Sequence, residues 1–112
     1  MAAVQPFPFK QGTVPNAAAA AILTSGAAQN IIIKKAVFTN VTGAAITVTV
    51  WLVAPAGSTA TGNILLSAQS IGAGQAYVSN ELANQVVSLG ATVQAQASVA
   101  NGINYAISGL SA

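Results

Sequence analysis

Charge is what this sequence has least of. Among its 112 residues are three lysines and one glutamate, and Asp, Arg, His and Cys are absent. Charged residues make up 4% of the chain, against about 25% in an ordinary soluble domain. Because permanent interfaces between subunits are depleted of charge, this composition favours a protein whose surface is largely buried in an assembly.

The missing side chains also exclude most catalytic and metal-binding chemistry. Without His, Cys or Asp the chain cannot build a Ser-His-Asp or Cys-His arrangement, and its single Glu81 cannot form a pair of catalytic carboxylates. The same inventory is too poor for a metal site. We therefore predict that the protein is not an enzyme and has no cofactor, metal or small-molecule substrate.

One covalent reaction remains compatible with the residues present. A lysine amine can form an amide bond with an asparagine side chain when a nearby carboxyl group carries the proton. Lys34, Lys35, Glu81 and several asparagines supply the residue types, but no spacing selects a triad. The alternative is that both lysines reach solvent or an acid of a partner.

Nucleic acid and membranes are not expected partners. The net charge is only +2, and Lys34-Lys35 is the one basic pair. Because neighbouring residues of a strand point to opposite faces, the two lysines are not expected to form one phosphate-binding patch. No apolar run approaches the roughly 20 residues that span a bilayer. The first ten residues lack a basic segment followed by an apolar one, so we predict synthesis in the cytosol without a targeting segment.

Residues 1–16 are predicted to be an extended arm, followed by a β domain over residues 17–112. Pro6, Pro8 and Pro15 remove backbone donors and enforce extended geometry. Phe7 and Phe9 flank Pro8, and such aromatic side chains need a surface on which to dock. That surface could belong to the arm's own domain or to a neighbouring subunit.

The rest of the chain has the pattern of an all-β protein. Residues 45–53 alternate strictly, which places Ile46, Val48, Val50 and Leu52 toward a core. With residues 30–39 they are predicted to form a long antiparallel hairpin, and Asn101-Gly102 marks another. Further strands are expected at 19–24, 63–70, 75–79, 92–98 and 104–108, and residues 81–88 are ambiguous. Seven or eight short strands predict an antiparallel β-sandwich or jelly roll.

Two aromatic residues outside the arm could serve a sugar-binding site. Trp51 and Tyr77 have faces on which a pyranose ring stacks, but the charged residues that usually accompany such sites are missing. Burial of Trp51 in the core is the interpretation that the sequence favours.

The segment from Ile32 to Leu52 resembles a framework found in small virion proteins of tailed phages. It consists of an Ile-Ile-Lys strand, a closing Thr39-Asn40, a short Thr42-Gly43-Ala44 turn and a strand of Thr and Val. The resemblance continues through residues 55–57, 71–77 and 93–98, and covers about residues 20–109. Gly90-Ala91 stands where such relatives usually have Gly-Asp, so any role of that acid is absent here.

This resemblance implies a structural protein of the virion, most similar to a capsid cement or decoration protein of a short-tailed phage. Such a protein would staple the major capsid protein and further copies of itself on the capsid surface, after synthesis in the host cytoplasm. Phe7, Phe9, Lys34 and Lys35 are the candidate partner-binding residues. The alternative is a receptor- or glycan-binding module of a tail or fibre.

Overall fold

The protein is an all-β chain with two antiparallel sheets. The computed structural model describes residues 5–16, 19–25, 30–99 and 101–111, with backbone alone for 5–10 and 111. Its strands, numbered β1 to β9, are Gln5–Thr13, Ala20–Thr24, Ile31–Asn40, Ile46–Val53, Ile64–Ile71, Ala76–Val78, Val86–Val87, Thr92–Ala97 and Ile103–Ser111. A short 3-10 turn, Thr61–Asn63, precedes β5.

The strands fall into two sheets with interleaved chain order. Sheet A has the order β1-β9-β3-β6, and β7 also pairs with β3; sheet B has the order β2-β8-β4-β5. All strand pairs are antiparallel. Only the β4–β5 and β6–β7 connections stay within one sheet. All of the remaining connections cross from one sheet to the other.

One hydrophobic core joins the inner faces of both sheets. Sheet A contributes Ile33 and Phe38, and sheet B contributes Val48, Val50 and Val93, all of them fully buried. The alternation predicted for residues 45–53 is therefore confirmed from Ile46 to Trp51 and fails at Leu52 and Val53. Leu52 packs against this core but is only partly buried, whereas Val53 is buried outside it, beside Gly57 of the following loop.

The predicted hairpin between residues 30–39 and 45–53 is wrong. Both segments are strands, but β3 lies in sheet A and β4 in sheet B. The buried side chain of Asn40 stabilises this crossing: its Nδ2 donates to the carbonyl oxygens of Ala44 and Ile71, each at 2.8 Å. Its Oδ1 accepts from the backbone N–H and the hydroxyl of Thr42, at 2.8 and 2.7 Å.

Asn101-Gly102 is likewise a crossing between sheets and not a hairpin turn. It joins β8 of sheet B to β9 of sheet A, with Asn101 at φ 56°. An Asn-Gly pair tolerates positive φ, and both a tight hairpin turn and this crossing between sheets require a residue with positive φ.

The segment predicted to be an extended arm contributes an edge strand. The backbone of β1 pairs with β9 from Gln5 to Thr13, with a register shift between Phe7 and Lys10. The side chains of Phe7 and Phe9 are not among those that the structure describes. The division into an arm and a separate domain stays a prediction.

Candidate interaction surface

A β-bulge brings Lys34 and Lys35 onto the same side of the molecule. In the pairing of β3 with β9, Ile33 lies opposite Gly109 and Lys35 lies opposite Ser108, so Lys34 is one extra residue. Both lysine side chains are exposed. The expectation that neighbouring residues point to opposite faces therefore fails here, because a bulge interrupts the alternation of the strand.

Gly109 makes the close strand contact beside this bulge possible. A Cβ atom at this position would overlap the carbonyl oxygen of Ile32, and it would lie 3.2 Å from the Cα of Ile33. On its other side Gly109 pairs with Phe7 of β1, next to the register shift of that strand. The irregular parts of three neighbouring strands thus meet at Gly109.

Exposed valines lie near the lysines on the outer face of sheet A. Val78 and Val86 are each 52% exposed. They pair with Val37 and Ile32 respectively, whose chain neighbours point into the core. We call this set the sheet A surface: Ile32, Lys34, Lys35, Val37, Val78 and Val86.

A loop beside the sheet A surface is tied to β3. The backbone N–H of Asn84, at φ 66°, donates to the carbonyl of Ile33 at 2.6 Å, and Ile33 donates to the carbonyl of Gln85 at 2.9 Å. The Nζ of Lys34 donates to Oδ1 of Asn84 at 3.2 Å. The loop between β6 and β7 therefore orients one of the two lysines.

Glu81, the one acidic side chain, is held within the same loop. The Tyr77 hydroxyl donates to its two carboxylate oxygens at 2.8 and 3.1 Å, and the Ser79 hydroxyl donates at 3.3 Å. The bond from Tyr77 is the main reason why the pKa of Glu81 is lowered, and it also raises the pKa of Tyr77. Within the described residues Glu81 forms no ion pair with Lys34 or Lys35, so the sheet A surface keeps a positive character.

The same geometry bears on amide-bond formation between lysine and asparagine. Lys34 and Asn84 do meet, but their contact is a solvent-exposed hydrogen bond. Glu81 is hydrogen-bonded to Tyr77 and Ser79. Because Glu81 bonds to Tyr77 and Ser79 and not to this pair, the described hydrogen bonds do not supply the proton-carrying carboxyl group that the reaction needs.

The structure brings together part of the site predicted from the sequence. Lys34 and Lys35 share one surface, and the backbone of Phe7 lies in the same sheet, two strands away from Ile33. Val78 and Val86 were not predicted as part of this surface. Their signal in the sequence is weak, because each belongs to a strand of three residues or fewer.

Trp51 is not a core residue, contrary to the interpretation that the sequence favours. It lies between the buried Val50 and the partly buried Leu52, pairs with Gln94 of β8 and Ile64 of β5, and is itself partly buried outside the core cluster. The alternation of β4 places it on the outer face of sheet B.

No protein family, curated protein or solved structure matches this chain. In the part that the structure describes, no three His, Cys, Asp or Glu side chains gather as metal ligands would. That part also contains no helix with the length and apolar character needed to cross a bilayer.

Proposed function

We propose that this chain is a structural protein of a phage particle, a capsid cement protein that binds the major capsid protein and stabilises the shell. The observation that carries the proposal is the sheet A surface, where exposed valines lie beside two lysines in a chain that is otherwise almost without charge. A surface of this kind suits a permanent partner with apolar groups and one or two carboxylates.

The order of the strands supports a jelly roll for this function. If β6 and β7 count as one interrupted strand, eight strands form two sheets of four, consecutive strands alternate between the sheets except for β4 and β5, and the first strand neighbours the last. Jelly rolls are eight-stranded double sheets built from two Greek keys, and they recur in viral capsid domains.

A second copy of the chain would not complete the sheet A surface. Its one acidic side chain is Glu81, and the carboxylate of that residue is already hydrogen-bonded to Tyr77 and Ser79. The carboxylates that face the lysines therefore come from a different protein, for which the major capsid protein is the proposed candidate.

The N-terminal strand supplies the second proposed contact. Phe7 and Phe9 insert into pockets of a neighbouring subunit, so copies of the chain are linked on the particle surface. The backbone of this segment is already ordered as an edge strand beside β9, so the contact uses a preformed strand.

The proposal is tested by sedimenting the full chain with particles of the phage that encodes it, after these have been stripped of their own copies. Lys34→Gln/Lys35→Gln should weaken binding by about tenfold at low ionic strength, and the difference should shrink at high salt. Val78→Ser/Val86→Ser should weaken binding at every salt concentration, because burial of apolar surface is not screened.

Lys10→Gln is the charge control for the single variants Lys34→Gln and Lys35→Gln, since each of the three removes one positive charge. Circular dichroism of each variant checks that it folds. Failure of the wild-type chain to sediment with the stripped particles would overturn the proposed function. Binding that is unaffected by all four substitutions on sheet A would overturn this surface as its site.

A further inference from the structure

The outer face of sheet B is chemically unlike that of sheet A. Its side chains come from the two central strands, and Thr49 and Trp51 of β4 pair directly with Gln96 and Gln94 of β8. Their chain neighbours Val48, Val50, Val93 and Ala95 are buried. We call this set the sheet B surface, in which no side chain is charged: Thr47, Thr49, Trp51, Thr92, Gln94 and Gln96.

Hydrogen bonds hold the two glutamine side chains of this surface in place. The Nε2 of Gln94 donates to the Thr92 hydroxyl at 3.2 Å, and the Nε2 of Gln96 donates to the carbonyl of Asn16 at 2.9 Å. Each bond uses one of the two N–H donors of the amide. Within the described residues, the second N–H and the Oε1 acceptor of each side chain remain for another molecule.

A shallow groove runs beside Gln96 on this face. It has a volume of about 290 Å³ and is lined by Asn16, Thr47, Thr49, Gln96, Ala97 and Ser98. Side chains two residues apart on one face of a strand are separated by about 7 Å, so Trp51, which does not itself line the groove, lies beyond Thr49 on the same face. The volume is just below the range for small-molecule sites, about 300–1,000 Å³.

We propose that the sheet B surface binds a neutral oligosaccharide. One face of a pyranose ring is lined with C–H groups and stacks on an aromatic ring, for which Trp51 is placed. The hydroxyl groups of that sugar and its neighbours both donate and accept hydrogen bonds, which matches the amides of Gln94 and Gln96 and the threonine hydroxyls. The absence of charge selects uncharged sugars.

A second copy of the chain fits this surface less well than a sugar does. Interfaces between proteins are enriched in apolar and aromatic residues at their centre. The sheet B surface has one aromatic residue among hydroxyls and amides, whereas the outer face of sheet A exposes Val78 and Val86. The proposal does not depend on the capsid function, because it uses the opposite face of the molecule.

Trp51 is the only tryptophan of the chain, so its fluorescence reports directly on this surface. The full chain is first applied to an array of neutral and acidic glycans and detected with an antibody. It is then titrated with the soluble hexasaccharides of glucose and N-acetylglucosamine and with an acidic hexasaccharide of galacturonic acid. We expect a neutral sugar to change the emission saturably and to protect Trp51 from quenching by acrylamide.

Variants separate this site from the rest of the protein. Gln96→Ala keeps the fluorophore and should weaken sugar binding by about tenfold, whereas Gln75→Ala, at an exposed position in the turn between β5 and β6, should leave it unchanged. Trp51→Ala should abolish binding to the array, and circular dichroism establishes that it folds. If it does not fold, Gln96→Ala alone decides the question.

Three results would overturn the proposal. The first is no binding to any neutral glycan on the array, together with unchanged Trp51 emission up to about 10 mM of each neutral hexasaccharide. The second is equal binding by Gln96→Ala and the wild-type chain. The third is protection of Trp51 that increases with protein concentration in the absence of sugar, which would assign this face to contacts between copies.

Discussion

Asn40 shows how one side chain can fix the path of the chain between two sheets. It is fully buried and makes four hydrogen bonds, to Thr42, Ala44 and Ile71. Both donors and the acceptor oxygen of its amide are therefore used. The residue that closes β3 also specifies that β4 begins in the other sheet.

Asn40→Ala should lower the free energy of unfolding by about 2–4 kcal/mol, because it removes the side-chain partner of the Ile71 carbonyl and of the Thr42 N–H. The Ala44 carbonyl still accepts from the Thr42 hydroxyl. Asn104→Ala is the control, since Asn104 is exposed and should cost less than about 0.5 kcal/mol. Urea denaturation measures both. Equal stability of the two variants would show that the amide of Asn40 does not stabilise the crossing.

Gly109→Ala should destabilise the protein by about 1–3 kcal/mol, the usual range for an overpacked position. The added methyl group would overlap the carbonyl oxygen of Ile32 in the neighbouring strand. Gly43→Ala is the matched control, because a Cβ at Gly43 meets no atom within 4 Å. Thermal unfolding followed by circular dichroism compares the two, and a Gly109→Ala variant as stable as the control would contradict the close strand contact at the bulge.

The pair formed by Tyr77 and Glu81 predicts the pH dependence of stability. The pKa of Glu81 is lowered in the folded state, so its stabilising effect is present above its unfolded pKa of about 4.3 and is lost as the pH falls through the folded value. The pKa of Tyr77 is raised, so its effect is present below about 10 and is lost at higher pH.

We therefore expect stability to be constant between pH 5 and 8, where no histidine titrates, and to decrease slightly on either side. Glu81→Gln should remove most of the decrease at acidic pH and weaken that at alkaline pH, because its amide can still accept a hydrogen bond from Tyr77. Unfolding in urea across this pH range measures the effect. An equally steep acidic decrease in Glu81→Gln would assign it to another group.

Residue-level features of the candidate site could be predicted only in part. Lys34 and Lys35 stand out because the chain has so few charges. Their shared surface depends on a β-bulge, and the pattern of apolar and polar residues in the sequence does not predict this bulge. Trp51 was misassigned for a different reason. A large apolar side chain favours burial, and this general preference was given more weight than the alternation of residues 45–53, which places Trp51 on the face opposite Val48 and Val50.

At the scale of elements, the sequence predicts the strands better than it predicts their partners. The expected segments 19–24, 30–39, 45–53, 63–70, 75–79 and 92–98 all correspond to strands. Alternation reports that one face of a strand is buried, and this holds equally for two strands in one sheet and for two strands facing each other across the core. Both expected hairpins therefore became crossings between sheets.

Each edge of the two sheets has a feature that hinders pairing with another chain. Sheet A ends in β1, which contains Pro6 and Pro8, and on its other side in the short strands β6 and β7. Sheet B ends in the five-residue β2 and in β5, where Ala68 has φ 46° and its N–H donates to the Thr49 hydroxyl. Such prolines, bulges and short strands are common protections against edge-to-edge association. Partners are therefore expected at the faces of this molecule.

Pro6→Thr/Pro8→Thr should increase self-association, because it restores two backbone donors and β propensity to an edge strand. Pro55→Thr is the control, since Pro55 lies in the loop between β4 and β5. Size-exclusion chromatography with light scattering should show larger species for the first variant only. A strictly unchanged mass for the double variant would mean that the prolines do not protect this edge.

At the scale of the whole molecule, the two sheets present different surfaces. Sheet A offers exposed valines and two lysines, and sheet B offers hydroxyls, amides and one tryptophan. The low charge predicted a protein with an extensive interface, but composition does not distinguish one face from the other. Only the strand order, which rests on pairs distant in sequence, assigns each side chain to its surface.

This topology predicts slow folding. Except for β4 with β5, neighbouring strands that form extended ladders come from distant parts of the chain, such as β1 with β9 and β2 with β8. The chain loses the entropy of closing these long loops before the strand pairs contribute any stability. We therefore expect refolding over milliseconds to seconds. Stopped-flow fluorescence of Trp51 measures this rate, and complete refolding within about 100 microseconds would contradict the long-range pairing.

The position of the chain on a particle tests the central claim most directly. Particles of the phage proposed to encode it are labelled with a gold-conjugated antibody against the chain and viewed by negative-stain electron microscopy. The account predicts gold over the whole surface of the capsid, and loss of this label from particles assembled with the Lys34→Gln/Lys35→Gln/Val78→Ser/Val86→Ser variant. Gold confined to the tail or its fibres, or an absence of label from particles, would contradict it.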